Sequence, residues 1–206
     1  QRQMCIRDRV NRDDMEDGGA SHYKNCIDKV HEICPKVGLE FLCSDLSGNV
    51  SALEFLLEDS PLTVFAHNVE TVRRLTPRVR DPRATFDQSL LILKKAKELR
   101  PDIITKTSIM LGLGETEEDL LEAFEELRDA NVDLLTLGQY LSPGSRYHPV
   151  VSFPSPETFD SLAQIAKDMG FKAIASGPMV RSSYRAESLV AAAKGETFEI
   201  KLKVVA

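Results

Sequence analysis

The feature that most constrains this chain is an alternation. Five short apolar runs, each closing on polar residues or glycine, are separated by segments with helical spacing. The runs are residues 38–45 (GLEFLCSD), 62–68 (LTVFAHN), 103–114 (IITKTSIMLGLG), 132–140 (VDLLTLGQY) and 171–177 (FKAIASG). Bounded by turn residues and rich in Val, Ile, Leu, Phe and Thr, they read as buried strands. Thr85-Phe86-Asp87-Gln88 has the form of a capping box: the threonine hydroxyl takes an orphan N–H and the glutamine reaches back. Phe86, Leu90, Leu93, Ala96 and Leu99 then recur at helical spacing. Thr116 precedes a second helix, with Leu120, Phe124 and Leu127 on one face and acids in the first turn, where the helix dipole favours them. Ser155-Pro156 opens a third, with Phe159, Leu162, Ile165 and Met169 inward and Gly170 at the C′ position. Strands separated by single helices pair in parallel through right-handed crossovers. The choice is an open doubly wound sheet or a (β/α) barrel, and no GxGxxG follows any of the runs.

At 206 residues the chain suits one domain, and 42% apolar residues can fill its core. A net charge of −6 argues against nucleic acid or an anionic membrane as partner. No apolar run approaches the ~18 residues of a spanning helix. Cys5, Cys26, Cys34 and Cys43 form no CxxC or CxxxCxxC, so they suggest neither a disulfide scaffold nor a metal site. They are expected as packing residues, free thiols in a reducing compartment.

In either architecture, polar residues at the C-terminal strand ends line the site. Here those ends offer Asp45; His67, Asn68, Glu70 and Thr71; Gly112, Gly114 and Glu115; Gln139 and Tyr140; and, after the last run, Arg181 to Tyr184. Five polar ends argue for an enzyme over a scaffold. Asn68 and Glu70 are two apart, so on a strand their side chains share a face. An amide beside a carboxylate suits ribose hydroxyls or an ammonium group; the alternative is an N-cap and a solvated acid. Two glycines at a strand end let a flat ligand approach the backbone, or simply make a tight turn. Lys106 and Ser108 lie inside a strand, where inward polarity marks them as pocket candidates. Tyr140 either stacks on a base or fills the mouth. His67 reads as a hydrogen-bonding residue, and Asp81-Pro82-Arg83 as a turn with an ion pair. Alone, RSSY at 181–184 reads as a solvated turn.

Six stretches, in order, carry a closer likeness: NRDDMEDGGA (11–20), FAHNVETVRRL (65–75), VRDPRATFDQSL (79–90), TKTSIMLGLGET (105–116), LTLGQYLSP (135–143) and ASGPMVRSSYRA (175–186). Together they resemble the lipoyl synthase family of radical S-adenosylmethionine enzymes. Asn11 stands where that family has an acid. The resemblance implies a partial (β/α) barrel of the radical S-adenosylmethionine type, lacking its first two strands. It implies that Gly112, Gly114 and Glu115 pack along the adenosine of S-adenosylmethionine, and that Asn68 and Glu70, with Lys106, Ser108, Gln139 and Tyr140, belong to the same pocket. One of Ser182 and Ser183 would ligate an iron of an auxiliary [4Fe–4S] cluster, with Arg181 and Tyr184 ordering the segment. Serine is an unusual ligand, since such clusters normally take cysteines.

The implied reaction inserts two sulfur atoms at C6 and C8 of a protein-bound octanoyl chain. Its cofactors would be two [4Fe–4S] clusters and S-adenosylmethionine. Its partners would be an octanoylated lipoyl-carrier domain, an electron donor protein and an iron–sulfur carrier, with no nucleic acid or membrane. The setting would be the cytoplasm of a bacterium, or a mitochondrion or plastid. Both cysteine sets of the family are absent from the sequence, so this chain alone is expected to be inactive. Residues 1–10 read as a non-native start without the apolar strand expected there, 11–187 as the barrel segment with RSSY, and 188–206 as a tail. The alternatives are another radical S-adenosylmethionine sulfur-inserting enzyme, such as a biotin-synthase-like one, or a cluster-free α/β protein that binds an adenosine-like ligand or a carrier protein.

Overall fold

The computed structural model describes residues 4–7 and 11–195. All five apolar runs form strands: β2 (Gly38–Leu42), β3 (Val64–Ala66), β4 (Ile104–Leu111), β5 (Leu134–Gln139) and β6 (Ala173–Ser176). A further strand, β1 (Met4–Arg7), pairs in parallel with β2, which corrects the expectation of no strand before Asn11. All pairings are parallel, and the order β1-β2-β3-β4-β5-β6 follows the chain. A doubly wound sheet reverses its order at a switch point. Sequential order is the winding of a barrel, here open between β1 and β6.

Seven α-helices are described: α1 (Ala20–Ile33), α2 (Val50–Leu57), α3 (Thr76–Val79), α4 (Phe86–Leu99), α5 (Glu117–Asp129), α6 (Pro156–Asp168) and α7 (Ala186–Ala193). The Thr85 hydroxyl accepts from Gln88 N, but the Gln88 amide donates to the Arg83 carbonyl instead of reaching back. The complete capping box lies at α5, where Thr116 and Asp119 satisfy each other's backbone amides. Gly170 ends α6 at φ +94°, as expected of a C′ residue.

The strands' alternation sorts the core. Odd-numbered residues of β4 and β5, including Ile109, Leu111, Leu135 and Leu137, face α4, α5 and α6 and pack with Phe86, Phe124 and Phe159. Leu39, Phe41 and Phe65 face α1 and α2. The opposite, concave face carries Val64, Ile104, Leu134 and Ala173 at its lower end. Helix α7 covers these with Ala186, Leu189 and Val190. Part of the segment expected as a tail is therefore a helix seated on the concave face; residues 196–206 lie outside the described ones. Cys43 is buried, but Cys26 and Cys34 are exposed, which corrects their expected packing role. Cys26 falls on the outer face of α1, and Cys34 caps its end.

At the N-terminal strand ends, Asp133 joins three elements. Its carboxylate accepts from Lys97 and Lys172, each at 2.8 Å, and from Thr105 N at 3.0 Å. Burial pushes this acid upward, yet Lys172, Lys97 and the Thr105 amide together hold it below the usual carboxylate range. Polar residues at this pole of a barrel serve stability.

Candidate functional site

The mouth begins where β3 ends. His67 is 2% exposed, and its Nδ1 lies 3.0 Å from the Cys43 carbonyl. Only a protonated Nδ1 can donate there. Its Nε2 lies in hydrogen-bond contact with Ser89 Oγ at 2.9 Å, and Ser89 accepts from Arg80 at 2.7 Å. His67 thus cross-links strand to helix, as the sequence suggested. Ser89, a small polar residue on the core face of α4, was not foreseen.

Past His67 the register slips. Ala66 pairs with Lys106, but Glu70 pairs with Ile109, so four residues on one strand oppose three on the other. This is a bulge, with Glu70 at φ +68°. Asn68 and Glu70 do come together, the Asn68 amide donating to Glu70 Oε1 at 3.2 Å. The cause is the bulge rather than simple strand alternation, which corrects the physical reason given above. Glu70 N donates to the Ser108 carbonyl at 3.0 Å, and Glu70 O accepts from Met110 N at 2.8 Å. The unusual backbone is therefore held on both sides. Ser108 lies on the inward face of β4 and is 8% exposed.

Two strand levels deeper, Lys106 and Glu40 form an ion pair at 2.8 Å; their side chains are 1% and 2% exposed. Glu40 is level with Val64 and Lys106 with Ala66, so the lysine reaches diagonally across β3 to its partner on β2. Glu40 Oε2 has no partner among the described residues. Burial pushes the Glu40 carboxyl above its usual range, against the opposing pull of Lys106. The sequence carried a signal for Glu40, a lone acid between Leu39 and Phe41 in a buried run.

The glycine-rich turn is filled by the chain itself. A Cβ on Gly112 would lie 2.4 Å from the Ser152 carbonyl and 2.5 Å from Gln139 Nε2. The close approach this glycine allows here is that of its own loop, as in the tight-turn alternative. A Cβ on Gly114 would meet Val151 at an ordinary contact distance of 3.5 Å, and it is its φ of +101° that favours glycine there. Glu115 spends both oxygens on the turn, accepting from Gly112 N at 2.6 Å and Leu113 N at 2.9 Å. Gln139 donates to the carbonyls of Leu111, Tyr140 and Ser152 at 3.0–3.2 Å. Tyr140 packs in the helix-side core and donates its hydroxyl to the His148 carbonyl at 2.8 Å. Asp81 and Arg83 form the expected turn and ion pair at 2.8 Å, and Arg83 also reaches Asp13 at 3.3 Å.

The RSSY stretch lies against β5. A Cβ on Gly138, which points to the concave side, would fall 2.3 Å from the Val180 carbonyl. Gln139 N donates to the Pro178 carbonyl at 3.4 Å, so residues 178–180 run close over the strand end. Glycine inside a strand often marks such an approach. Ser182 is half-buried and Ser183 exposed, in a turn closed by Tyr184 N donating to the Arg181 carbonyl at 2.8 Å. Arg181 donates to the Val180 carbonyl at 2.7 Å, and Tyr184 lies under Arg185 at 5.2 Å. The mouth thus brings Asn68, Glu70 and Ser108 together, and the serine turn follows the segment that crosses the end of β5. Lys106 lies below it, and Glu115, Gln139 and Tyr140 brace its rim.

The profile of the Radical SAM superfamily matches residues 17–127, more than half of the chain. The chain belongs to this superfamily. It is 52% identical to a lipoyl synthase of Marinobacter nauticus over 86% of its own length and 51% of the relative's. A lipoyl synthase of Thermus thermophilus matches at 52% over 86% and 55%, and an apicoplast lipoyl synthase of Toxoplasma gondii at 51% over 86% and 32%. The chain therefore spans about half the length of the bacterial relatives it matches. Among solved structures, methylornithine synthase superposes with a TM-score of 0.57 at 15% identity, covering 73% of this chain and 42% of that one. That likeness supports the barrel-type fold alone.

Superfamily membership implies an iron–sulfur cluster and S-adenosylmethionine. The described residues do not fit the cluster. No group of three or more Cys, His, Asp or Glu side chains among them is arranged to hold a metal. Cys26, Cys34 and Cys43 are spread over one helix, its end and a strand end. Among the described residues, no helix is long and apolar enough to cross a membrane.

Proposed function

We propose that this chain is the later part of a lipoyl synthase barrel, whose reaction inserts two sulfur atoms at C6 and C8 of a protein-bound octanoyl chain. The observation that carries this reading is the likeness of about half identity to lipoyl synthases across the same strand-end motifs that line the mouth. In that reading the Asn68–Glu70 pair, aimed by the bulge, meets the ribose hydroxyls of S-adenosylmethionine. Ser108 faces the same space, and the Gly112–Gly114 turn, braced by Glu115 and Gln139, shapes its wall. Ser182 or Ser183 supplies an oxygen ligand to an auxiliary cluster, and Arg181 and Tyr184 order their turn. Lys106 holds the floor through Glu40 and touches no cofactor. The cysteine ligands of two [4Fe–4S] clusters are not among this chain's residues, so alone it carries no turnover. The reading also includes an octanoylated carrier domain, an electron donor and an iron–sulfur carrier as partners. It places the protein in bacterial cytoplasm, or in a mitochondrion or plastid.

A cluster-free protein that binds an adenosine-like ligand is the second reading, favoured by the missing ligand group. The test uses the source genome. The coding sequence upstream of Asn11 is read, and the longer product is reconstituted anaerobically with iron and sulfide. It is then given S-adenosylmethionine, a reductant and an octanoylated carrier domain. The expected result is a carrier mass gain of two sulfurs for the dithiol, less two hydrogens once it is oxidised to the disulfide, and the gain is lost when Ser182 or Ser183 becomes alanine. A native start without cysteine sets, or a reconstituted protein that leaves the octanoyl chain unchanged, overturns the proposal.

A further inference from the structure

The acidic balance of the chain is not uniform. From Gln139 to Pro156 there is no Asp or Glu, and none from Gly177 to Ala186. These segments flank the C-terminal end of β5. The first is pinned to the β4–α5 turn by Val151 N donating to the Gly112 carbonyl at 2.8 Å and by His148 Nε2 donating to the Leu113 carbonyl at 2.8 Å. The second is held at Gly138 and Gln139 as described. They carry Arg146, Arg181 and Arg185, all exposed, and none has a carboxylate partner among the described residues. Elsewhere on the molecule Arg12, Arg73, Arg74, Arg83 and Arg100 are each ion-paired, whereas Arg78 and Arg128 have no carboxylate partner among the described residues.

Apolar exposure gathers at the same place. Among the described residues, Leu141, Tyr147, Val151, Phe153 and Met179 are 58–81% exposed. With Tyr184 they make six of the ten large apolar side chains that reach solvent, though the two segments hold a small share of the chain. Scattered single apolar residues on a surface mean little; a concentration rimmed by unpaired charge marks an interaction surface.

We propose that the 141–153 loop and the 179–185 turn form a docking face for an acidic protein domain, which they hold against the barrel mouth. The argument for this occupant is charge complementarity. In a chain of net charge −6, the two segments carry three guanidinium groups without a carboxylate partner among the described residues, together with exposed aromatic and aliphatic side chains. An anionic membrane would meet the repulsion of the remaining acidic surface, whereas a small folded domain contacts only the local face. The choice of partner rests on the proposed reading: a carrier domain presents an acylated lysine that must reach the mouth beside RSSY.

Docking needs no cluster, so it can be measured on this chain directly. The probes are an octanoylated lipoyl-carrier domain and the same domain unmodified, titrated by calorimetry. Arg146→Glu and Phe153→Ser, both at exposed loop positions, are compared with Lys94→Glu on the outer face of α4. The expected result is binding that weakens about tenfold or more in Arg146→Glu/Phe153→Ser, stays unchanged in Lys94→Glu, and weakens as salt rises from about 0.05 to about 0.3 M. Circular dichroism confirms that each variant is folded. Absence of binding, or binding indifferent to the loop substitutions, overturns the docking face. So does self-association of the chain that the same substitutions abolish, which would make a second copy the occupant. Sulfur insertion by the longer, reconstituted protein decides the functional reading separately, since that chemistry can stand while docking occurs elsewhere.

Discussion

Replacing Lys106 with methionine removes one member of an ion pair that is sealed from water on both sides. At the observed 2.8 Å, Coulomb attraction at an effective dielectric near 20 is about 6 kcal/mol, largely offset by the desolvation of two charges. Losing one partner alone typically costs about 3–5 kcal/mol. The structure sets a further limit, because Glu40 can escape by taking up a proton. At pH 7, protonating a carboxyl with an ordinary value of 4.5 costs about 3.4 kcal/mol. The expected penalty for Lys106→Met is therefore about 3 kcal/mol at neutral pH. Its sign with pH follows from burial: the folded-state value of Glu40 is raised, so the folded protein binds the proton more readily than the unfolded one. Stability is fully present below the ordinary carboxyl value and falls as pH rises toward the raised one, by about 1.4 kcal/mol per unit. Urea unfolding followed by circular dichroism from about pH 5 to about pH 8 measures this slope. Glu40→Leu/Lys106→Met, which removes both charges, should recover most of the loss. A single-variant penalty under about 1 kcal/mol at pH 7, or one flat across that range, refutes the view of a sealed pair.

Gly138→Ala places a methyl group 2.3 Å from the Val180 carbonyl, so the 178–181 segment must lift from the concave face. It should cost about 1–3 kcal/mol and speed tryptic cleavage at Arg181 and Arg185, and wild-type cleavage kinetics would disprove the close seating. Asp119 is held down to about 2, first by Arg74 and then by the Thr116 amide. Its contribution is present above the ordinary 3.8 and is lost as pH falls toward 2. Asp119→Asn should destabilise by on the order of 1 kcal/mol at pH 6, solvent screening of Arg74 included, and the gap to wild type should close by about pH 2; a gap constant with pH rules this pair out as the cause.

The strands and the three capped helices were legible because each depends on local pattern. Buried runs such as LTVFAH and caps such as Thr116 and Ser155 act within a few residues of themselves. What escaped depends on pairing between distant segments. Glu40 and Lys106 are 66 residues apart and meet only because β2 and β4 flank β3 in the sheet. The bulge at Glu70 is invisible in FAHNVET, where alternation predicts the same neighbours for a different reason. Helix α7 reads as a short run of alanines and becomes a structural element only where the concave face needs a cover.

The same distinction separates the residues at the mouth. Glu115, Gln139 and Tyr140 have the chemistry of ligand-binding groups, yet their polar atoms are committed to backbone amides and carbonyls of the surrounding loops. A buried donor or acceptor already paired with the backbone gains little from a ligand and loses a bond if it turns toward one. Such residues set the shape of the rim. The irregular backbone brings Asn68 and Glu70 together through one extra residue in the strand, and seats residues 178–180, just ahead of Ser182 and Ser183, over β5 through a missing Cβ at Gly138. In both cases an irregularity in a strand, one residue added and one side chain absent, brings polar atoms to a surface that regular β-structure would line with alternating side chains. Substitutions that leave these irregularities in place should preserve the mouth even where the side chains differ, whereas restoring regular strand geometry at either point should remove it.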